Sequence, residues 1–124
     1  MLGLVAVFVG GGAGAALRYL INVYYEKSCS IIFPFQTLFI NVLGSFILGF
    51  LLYYINTKTH FNQNLKLFLT VGFCGGLTTF STFSCEVIQL FNSNRILDAI
   101  WYIFGSIFLC LVGVVLGVYF AKYF

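Results

Sequence analysis

The sequence predicts an all-α membrane protein with four transmembrane helices, the third of them broken near residues 75–79. The chain of 124 residues is 61% hydrophobic and 7% charged, whereas soluble domains carry roughly 25% charged residues. Four apolar segments are each long enough for a membrane-spanning helix, which needs roughly 20 residues. We therefore expect a single domain over residues 1–124, with no separate soluble domain in it.

The first span is predicted at about residues 2–24, with glycines in its middle. Gly10 and Gly14 form a G-x-x-x-G step, which lets another helix approach closely. Arg18 follows one turn later and would be costly in lipid, so it either snorkels to the interface or faces a protein partner. No Lys or Arg precedes this apolar run, and the run exceeds the length of a signal-peptide core. We expect a retained span.

The second span is predicted at about residues 35–55, after a loop at 26–34. Asn41 shares one helical face with small residues that include Gly44 and Ser45. Its amide has two interpretations, an interhelical hydrogen bond or a donor that lines a pathway. Spacing alone favours the hydrogen bond.

The third span is predicted at about residues 66–91, after a loop at 56–65, and holds the most unusual stretch, GFCGGLTTFSTFSCE at residues 72–86. Irregular or polar backbone at membrane depth persists only where protein or a watery cavity covers it. The glycine cluster beside hydroxyl residues indicates a broken helix, and such breaks free carbonyls for a cation and direct helix N-termini at anions. After the break, Phe80 and Phe83 share a face.

The fourth span is predicted at about residues 96–121, directly after a short loop. One stripe along it contains Tyr102, Ser106, Cys110 and Gly113, again a small-residue face with a few polar atoms. Arg95 and Asp98 therefore fall at its beginning.

Enzymatic, zinc-binding and nucleic-acid-binding classes find no support in the sequence. The four cysteines form no C-x-x-C pair, and the only histidine, His60, falls in a predicted loop. There is consequently no nucleophile–base pair, and we predict a non-enzymatic protein. The net charge of +3 is spread along the chain, without a basic nucleic-acid-binding face.

The basic residues give no preferred orientation in the membrane. Four spans place both termini on one side, together with Lys58, Lys66 and Lys122; the other side holds Arg18, Lys27 and Arg95. The positive-inside rule orients a chain by its Lys and Arg excess, which is absent here. We therefore predict dual topology, with two copies paired antiparallel. Four short helices leave no room for an aqueous pore of their own, so any pathway would use the dimer.

Three motifs resemble those of the Fluc fluoride channels, also called CrcB proteins. They are GGGAGAALRY at 10–19, TLFINVLGSFILG at 37–49 and GFCGGLTTFSTFSCE at 72–86, and the resemblance covers essentially the whole chain. The third motif is the most specific. The resemblance implies a bacterial plasma or inner membrane protein that exports fluoride passively through two pores of an antiparallel homodimer.

The resemblance also implies roles for individual residues. Asn41, Phe80 and Phe83 line the pore, and a structural sodium ion at the dimer centre is held by the backbone carbonyls of Gly75 and Thr78. The implied polar contacts along the pore are Thr79, Ser81, Thr82, Tyr102 and Ser106, with Glu86 and Arg18 as further polar residues near it.

Three positions depart from the family pattern, and two other functions remain open at this point. Gln36 stands where the family usually has glycine, and Cys110 and Val114 stand where some members have hydroxyls. A small multidrug exporter has similar length and topology but relies on a glutamate in the first span, which this chain lacks. A non-transporting subunit would explain the glycine steps but not the TTFSTFS run.

Overall fold

A computed structural model describes residues 1–29 and 32–124, and this part of the chain is helical without strands. Four helices are long and apolar enough to cross a membrane. Three of these are continuous, and the third span is assembled from shorter pieces. The elements are α1 (Leu2–Ser28), α2 (Phe35–Thr57), α3 (Gln63–Leu67), a π-helical segment (Phe68–Cys74), α4 (Gly75–Leu77), α5 (Phe80–Asn92) and α6 (Ile96–Ala121).

Four helix ends lie outside the predicted span limits, and two of them do so by three residues or more. Helix α1 extends to Ser28 rather than ending near residue 24, and the Cys29 amide still donates to the Tyr25 carbonyl at 2.8 Å. The third span begins at Gln63 rather than 66, since the Asn62 side chain caps the helix by accepting from two backbone amides. The predicted loop at 26–34 includes residues 30 and 31, which lie outside the described residues.

Helix α1 packs against the third span through backbone-to-backbone contact at glycines. A Cβ atom on Gly10 or Gly14 would overlap with the carbonyl oxygen of Phe68 or Phe73, respectively. The reverse holds at Gly76, where a Cβ would overlap with the Gly11 carbonyl oxygen. The predicted G-x-x-x-G step is therefore one half of a two-sided glycine contact, which we call the first glycine seam.

The π-helical segment is a feature that periodicity did not predict. Its i→i+5 hydrogen bonds widen the helix, and such segments are rare and frequently occur at functional sites. Thr70 lies in this segment and its hydroxyl donates to the Lys66 carbonyl at 2.8 Å. Gly72, also in the segment, is buried against α1, so the widened helix still presents a glycine to the first glycine seam.

Helices α2 and α6 form the most extensive helix pair, and glycines again set their separation. A Cβ on Gly49 would overlap with the Val114 carbonyl oxygen, and one on Gly117 would overlap with the Phe46 carbonyl oxygen. We call this contact the second glycine seam. A separate core of Phe83, Val87, Leu90, Ala99 and Tyr102 joins α5 to α6.

Gly49→Ala is expected to destabilise the protein because the added Cβ has no room beside Val114. Overpacking of this kind typically costs about 1–3 kcal/mol. Thermal unfolding of the detergent-purified protein, followed by circular dichroism, measures the change. Gly12→Ala is the matched control, since nothing lies within 4 Å of a Cβ at Gly12. Equal stability of the two variants would contradict the second glycine seam as a packing constraint.

Candidate functional site

The third span breaks at two extended residues, Thr78 (ψ 156°) and Thr79 (ψ 124°). The Asn41 side chain crosses from α2 and binds this break twice. Its Nδ2 donates to the Thr79 carbonyl at 3.0 Å, and its Oδ1 accepts from the Thr79 amide at 2.8 Å. The Asn41 amide thus replaces the helical partners that Thr79 loses.

The same interaction frees backbone carbonyls at the end of α4. In a continuous helix, the Thr79 amide would donate to the Gly75 carbonyl, four residues earlier. Here it donates to Asn41 instead. The extended backbone of Thr78 also removes its carbonyl from the helical bonding pattern. Gly75 is exposed, and nothing lies within 4 Å of a Cβ built there. The two carbonyls therefore belong to an open, irregular piece of backbone.

Hydroxyl groups cluster where α5 begins. The Thr79 Oγ1 caps α5 by accepting from the Thr82 amide at 3.2 Å. It also lies 3.1 Å from the Thr82 hydroxyl and 3.3 Å from the Ser81 hydroxyl. An α-helix of this length carries a partial positive charge at its N-terminus. The break therefore ends in a group of O–H and N–H donors.

A cavity of about 460 Å³, here called the break cavity, surrounds this site. Five parts of the chain contribute to its wall, namely α2, α4, the break itself, α5 and α6. The wall combines an amide and several hydroxyls with aliphatic and aromatic side chains. Its lining residues are Asn41, Gly44, Ser45, Leu48, Gly75, Thr78, Thr79, Phe80, Phe83, Ser106, Ile107 and Cys110.

Two phenylalanines of the break cavity are neighbours with very different exposure. Their ring centroids lie 5.5 Å apart with planes inclined by 40°. Phe83 is 8% exposed and its ring lies 4.9 Å from the Tyr102 ring, whereas Phe80 is 78% exposed. Phe83 is thus fixed within the helix bundle, while Phe80 projects from its surface.

Ser106 contributes a buried hydroxyl that no group in the described part of the chain satisfies. The residue is 6% exposed and lines the break cavity. A buried hydroxyl without a partner loses roughly 1–3 kcal/mol relative to a satisfied one. A ligand that accepts hydrogen bonds, such as an anion, would remove this cost.

The Glu86 carboxylate is held by two hydroxyls from different helices. The Thr37 hydroxyl donates to Oε1 at 2.7 Å, and the Tyr102 hydroxyl donates to Oε2 at 2.6 Å. Sequence reasoning placed Tyr102 and Glu86 near the site but did not include Thr37 among the site residues. Thr37 lies four residues before Asn41, so a shared helical face was the signal that could have identified it.

A second cavity of about 340 Å³, here called the vestibule, lies beyond this carboxylate. A chain of side-chain contacts links residues of the two cavity walls, from Phe83 to Tyr102 and from Tyr102 to Glu86. Gln36, a departure from the family pattern, lines the vestibule. Its described lining is Ile32, Phe33, Pro34, Gln36, Glu86, Gln89, Leu90 and Ser93.

The structure brings most of the predicted site residues together. Seven of them line the break cavity: Asn41, Gly75, Thr78, Thr79, Phe80, Phe83 and Ser106. Tyr102 and Glu86 connect this cavity to the vestibule, and Ser81 and Thr82 bond to Thr79. Arg18 lines neither cavity.

Some lining residues were not among the predicted site residues. Gly44, Ser45 and Leu48 share the helical face of Asn41, so their spacing contained the signal. Ile107 and Cys110 adjoin Ser106 on α6. The described residues contain no group of three or more His, Cys, Asp or Glu side chains placed to hold a metal ion. The oxygen atoms in the wall of the break cavity are those of backbone carbonyls, of hydroxyls and of the Asn41 amide.

Comparison with known proteins supports the motif resemblance. Residues 5–118 match the family model described as CrcB-like protein, Camphor Resistance (CrcB). A relative from Phocaeicola vulgatus is 39% identical over 98% of this chain and 100% of its own length. One from Ruminiclostridium cellulolyticum is 46% identical over 98% of this chain and 94% of its own length.

Both relatives carry the name Fluoride-specific ion channel FluC. So does a protein from Hahella chejuensis, 44% identical over 93% of this chain and 91% of its own length. Ion channels are not enzymes, which agrees with the non-enzymatic prediction. With four spanning helices and bacterial relatives of this kind, the protein is a multi-pass protein of the bacterial plasma membrane. Motifs, helices and relatives agree, and the chain belongs to the CrcB (Fluc) family.

Proposed function

We propose that this protein is a fluoride-selective ion channel that exports fluoride passively from the cytoplasm, with two pores in an antiparallel homodimer. The unpartnered Ser106 hydroxyl in the wall of the break cavity carries this proposal. It offers a hydrogen-bond donor to an anion in a span where lipid would leave it unsatisfied. The names of the relatives give the identity of the anion.

The chemistry of the break cavity suits a small, strongly hydrated anion. To leave water, such an anion needs convergent hydrogen-bond donors, which the Ser106 hydroxyl and the N-terminus of α5 supply. Aromatic rings have a positive edge, so Phe83 and Phe80 can meet an anion edge-on without holding it tightly. Conduction requires such moderate binding, because the ion has to leave again.

The Asn41 amide serves the pathway chiefly by shaping it. Both of its polar ends are engaged by Thr79, and this fixes the break. Its remaining Nδ2 hydrogen is available to an ion, because an amide nitrogen has two. In this proposal Asn41 fulfils both interpretations that its sequence position left open, because its hydrogen bonds to Thr79 and its place in the cavity wall are compatible with each other.

Passage between the break cavity and the vestibule leads past Glu86. A carboxylate repels an anion, but both oxygens of Glu86 accept from hydroxyls of Thr37 and Tyr102. In this proposal those two hydroxyls turn from Glu86 to the passing fluoride and back. The pathway thus consists of donors that are already ordered before the ion arrives.

A second, inverted copy of the chain is the proposed partner at the break. Phe80 is exposed by 78% and the neighbouring Gly75 is open, so this face has unused contact surface within the membrane. The equal distribution of Lys and Arg over the two ends supports inversion. Two copies would juxtapose their breaks, with one break cavity contributed by each.

The carbonyls of Gly75 and Thr78 fit the proposed sodium ion at the dimer centre. Carbonyl oxygens are hard ligands suited to such a cation, and unwound membrane helices use them in this way. The Asn41 interaction leaves both carbonyls outside the helical bonding pattern. One chain supplies two of these oxygens, so a second copy would double the donor set. When bound, the ion would contribute positive charge that favours a nearby anion.

Fluoride efflux from liposomes that contain the purified protein tests the function. We expect fluoride to leave the liposomes rapidly while chloride is retained. Absence of fluoride efflux, or equal chloride efflux, would reject the proposal. The first outcome favours a non-transporting subunit. A multidrug exporter would instead release cationic drugs in response to a proton gradient.

Phe80→Ile and Phe83→Ile are each expected to reduce fluoride efflux by about tenfold or more. Isoleucine keeps much of the apolar volume but removes the ring edge, and each tenfold corresponds to about 1.4 kcal/mol in the barrier. Phe108→Ile is the matched control, because Phe108 lies in α6, is 66% exposed and lines neither cavity. Unchanged efflux in both test variants would show that the rings only pack.

A reporter fused to the C-terminus is expected to give signals from both sides of the membrane, because Lys and Arg do not bias insertion. Adding three lysines after Phe124 should then shift the population to one orientation, with the C-terminus in the cytoplasm. Paired phosphatase and fluorescent-protein fusions measure the two populations. A signal from one side alone in the unmodified chain would exclude dual topology.

Extensive dialysis against sodium-free medium is expected to diminish fluoride efflux, and restored sodium should recover it. The physical reason is that the freed carbonyls of Gly75 and Thr78 would face one another across the dimer without a cation. Efflux is measured in the same liposome assay, with N-methyl-D-glucamine replacing sodium. Full activity after prolonged dialysis would argue against a sodium ion with a functional role.

A further inference from the structure

One thiol of this chain lines the break cavity. Cys110 lies on α6, is half-buried and shares the cavity wall with Ser106, four residues earlier. The other three cysteines are elsewhere. Cys74 is buried outside both cavities, and Cys29 and Cys85 also line neither. All four are free thiols.

Ser106 provides a second, independent indication that this part of the wall accepts a ligand. Its hydroxyl is buried, lines the same cavity and has no partner among the described residues. Side chains four residues apart on a helix have their Cβ atoms roughly 5–6 Å apart. Any group attached to the Cys110 sulfur would therefore lie beside the Ser106 hydroxyl.

We propose that Cys110 is a modification site in the wall of the pathway, where attachment of a small, neutral, thiol-reactive electrophile stops fluoride passage. This inference rests on the proposed channel function. The modification converts a weakly donating thiol into an apolar disulfide, and the attached group covers the Ser106 hydroxyl. Loss of a hydrogen bond to a charged ion is sufficient to slow passage by about tenfold or more.

Methyl methanethiosulfonate is a suitable probe because it is small and uncharged. The Cys110 thiolate attacks the sulfenyl sulfur of the reagent, and the thiol proton passes to water. A new S–S bond forms, the S–S bond of the reagent breaks, and methanesulfinate leaves with the electron pair.

The experiment treats proteoliposomes with the reagent and measures both fluoride efflux and the mass of each cysteine-containing peptide. We expect fluoride efflux to fall about tenfold or more as Cys110 becomes modified. The larger benzyl methanethiosulfonate should reduce efflux further, and dithiothreitol should restore it. Cys110→Ser should keep its efflux during treatment. Cys85→Ser is the matched control, since Cys85 is the exposed cysteine outside both cavities, and this variant should remain fully sensitive.

Three results would overturn the inference. These are full efflux with Cys110 quantitatively modified, no modification of Cys110 under conditions that modify Cys85, and inhibition that persists in Cys110→Ser. The first two results are measured on the unsubstituted protein, so they test the inference even if Cys110→Ser folds poorly. Failure of the channel proposal is a separate result, because it would show as absent fluoride efflux before any reagent is added.

Discussion

The site depends on the two hydrogen bonds between the Asn41 side chain and the backbone of Thr79. A helix interrupted inside a membrane exposes amides and carbonyls that lipid cannot satisfy. One primary amide has both a donor and an acceptor, and here it satisfies the N–H and the C=O of the same residue. Because Thr79 is held in this way, α5 can start anew at Phe80 with its own N-terminal cap. The new helix start fixes the positions of Phe80, Phe83 and the cluster of hydroxyls.

The two glycine seams explain how so apolar a chain reaches a defined structure. Lipid tails are as apolar as leucine, so burial of hydrocarbon gives little preference for one helix arrangement over another. Close backbone contact does give such a preference, and it is available only where no Cβ intervenes, as at Gly14 and Gly117. The seams fix the helices in pairs, and the polar groups of the site lie where the pairs meet. Gly44 belongs to this meeting point, because a Cβ there would overlap with the Thr78 side chain.

Much of this arrangement could be predicted from residue types and spacing, and the remainder depended on three-dimensional contacts. The four spans follow from hydropathy, and the interruption follows from glycines beside threonines. The residues that close the interruption do not follow from spacing, because Asn41 and Thr79 are distant in sequence. The π-helical segment, which packs against α1, also could not be predicted, because it has no local sequence pattern of its own. Thr37 was overlooked because a threonine in an apolar helix usually bonds to its own backbone, whereas this one bonds to Glu86.

The pairing of helices also determines when the fold can be completed during synthesis. Helix α1 packs chiefly with the third span, and α2 with α6, so neither early helix has its main partner next to it in the chain. A chain that is made from its N-terminus therefore inserts α2 before α6, its main partner, has been synthesised. The Asn41 amide spends part of this interval without Thr79. Biogenesis of this protein thus includes a stage at which two inserted helices await partners that the ribosome has not yet produced.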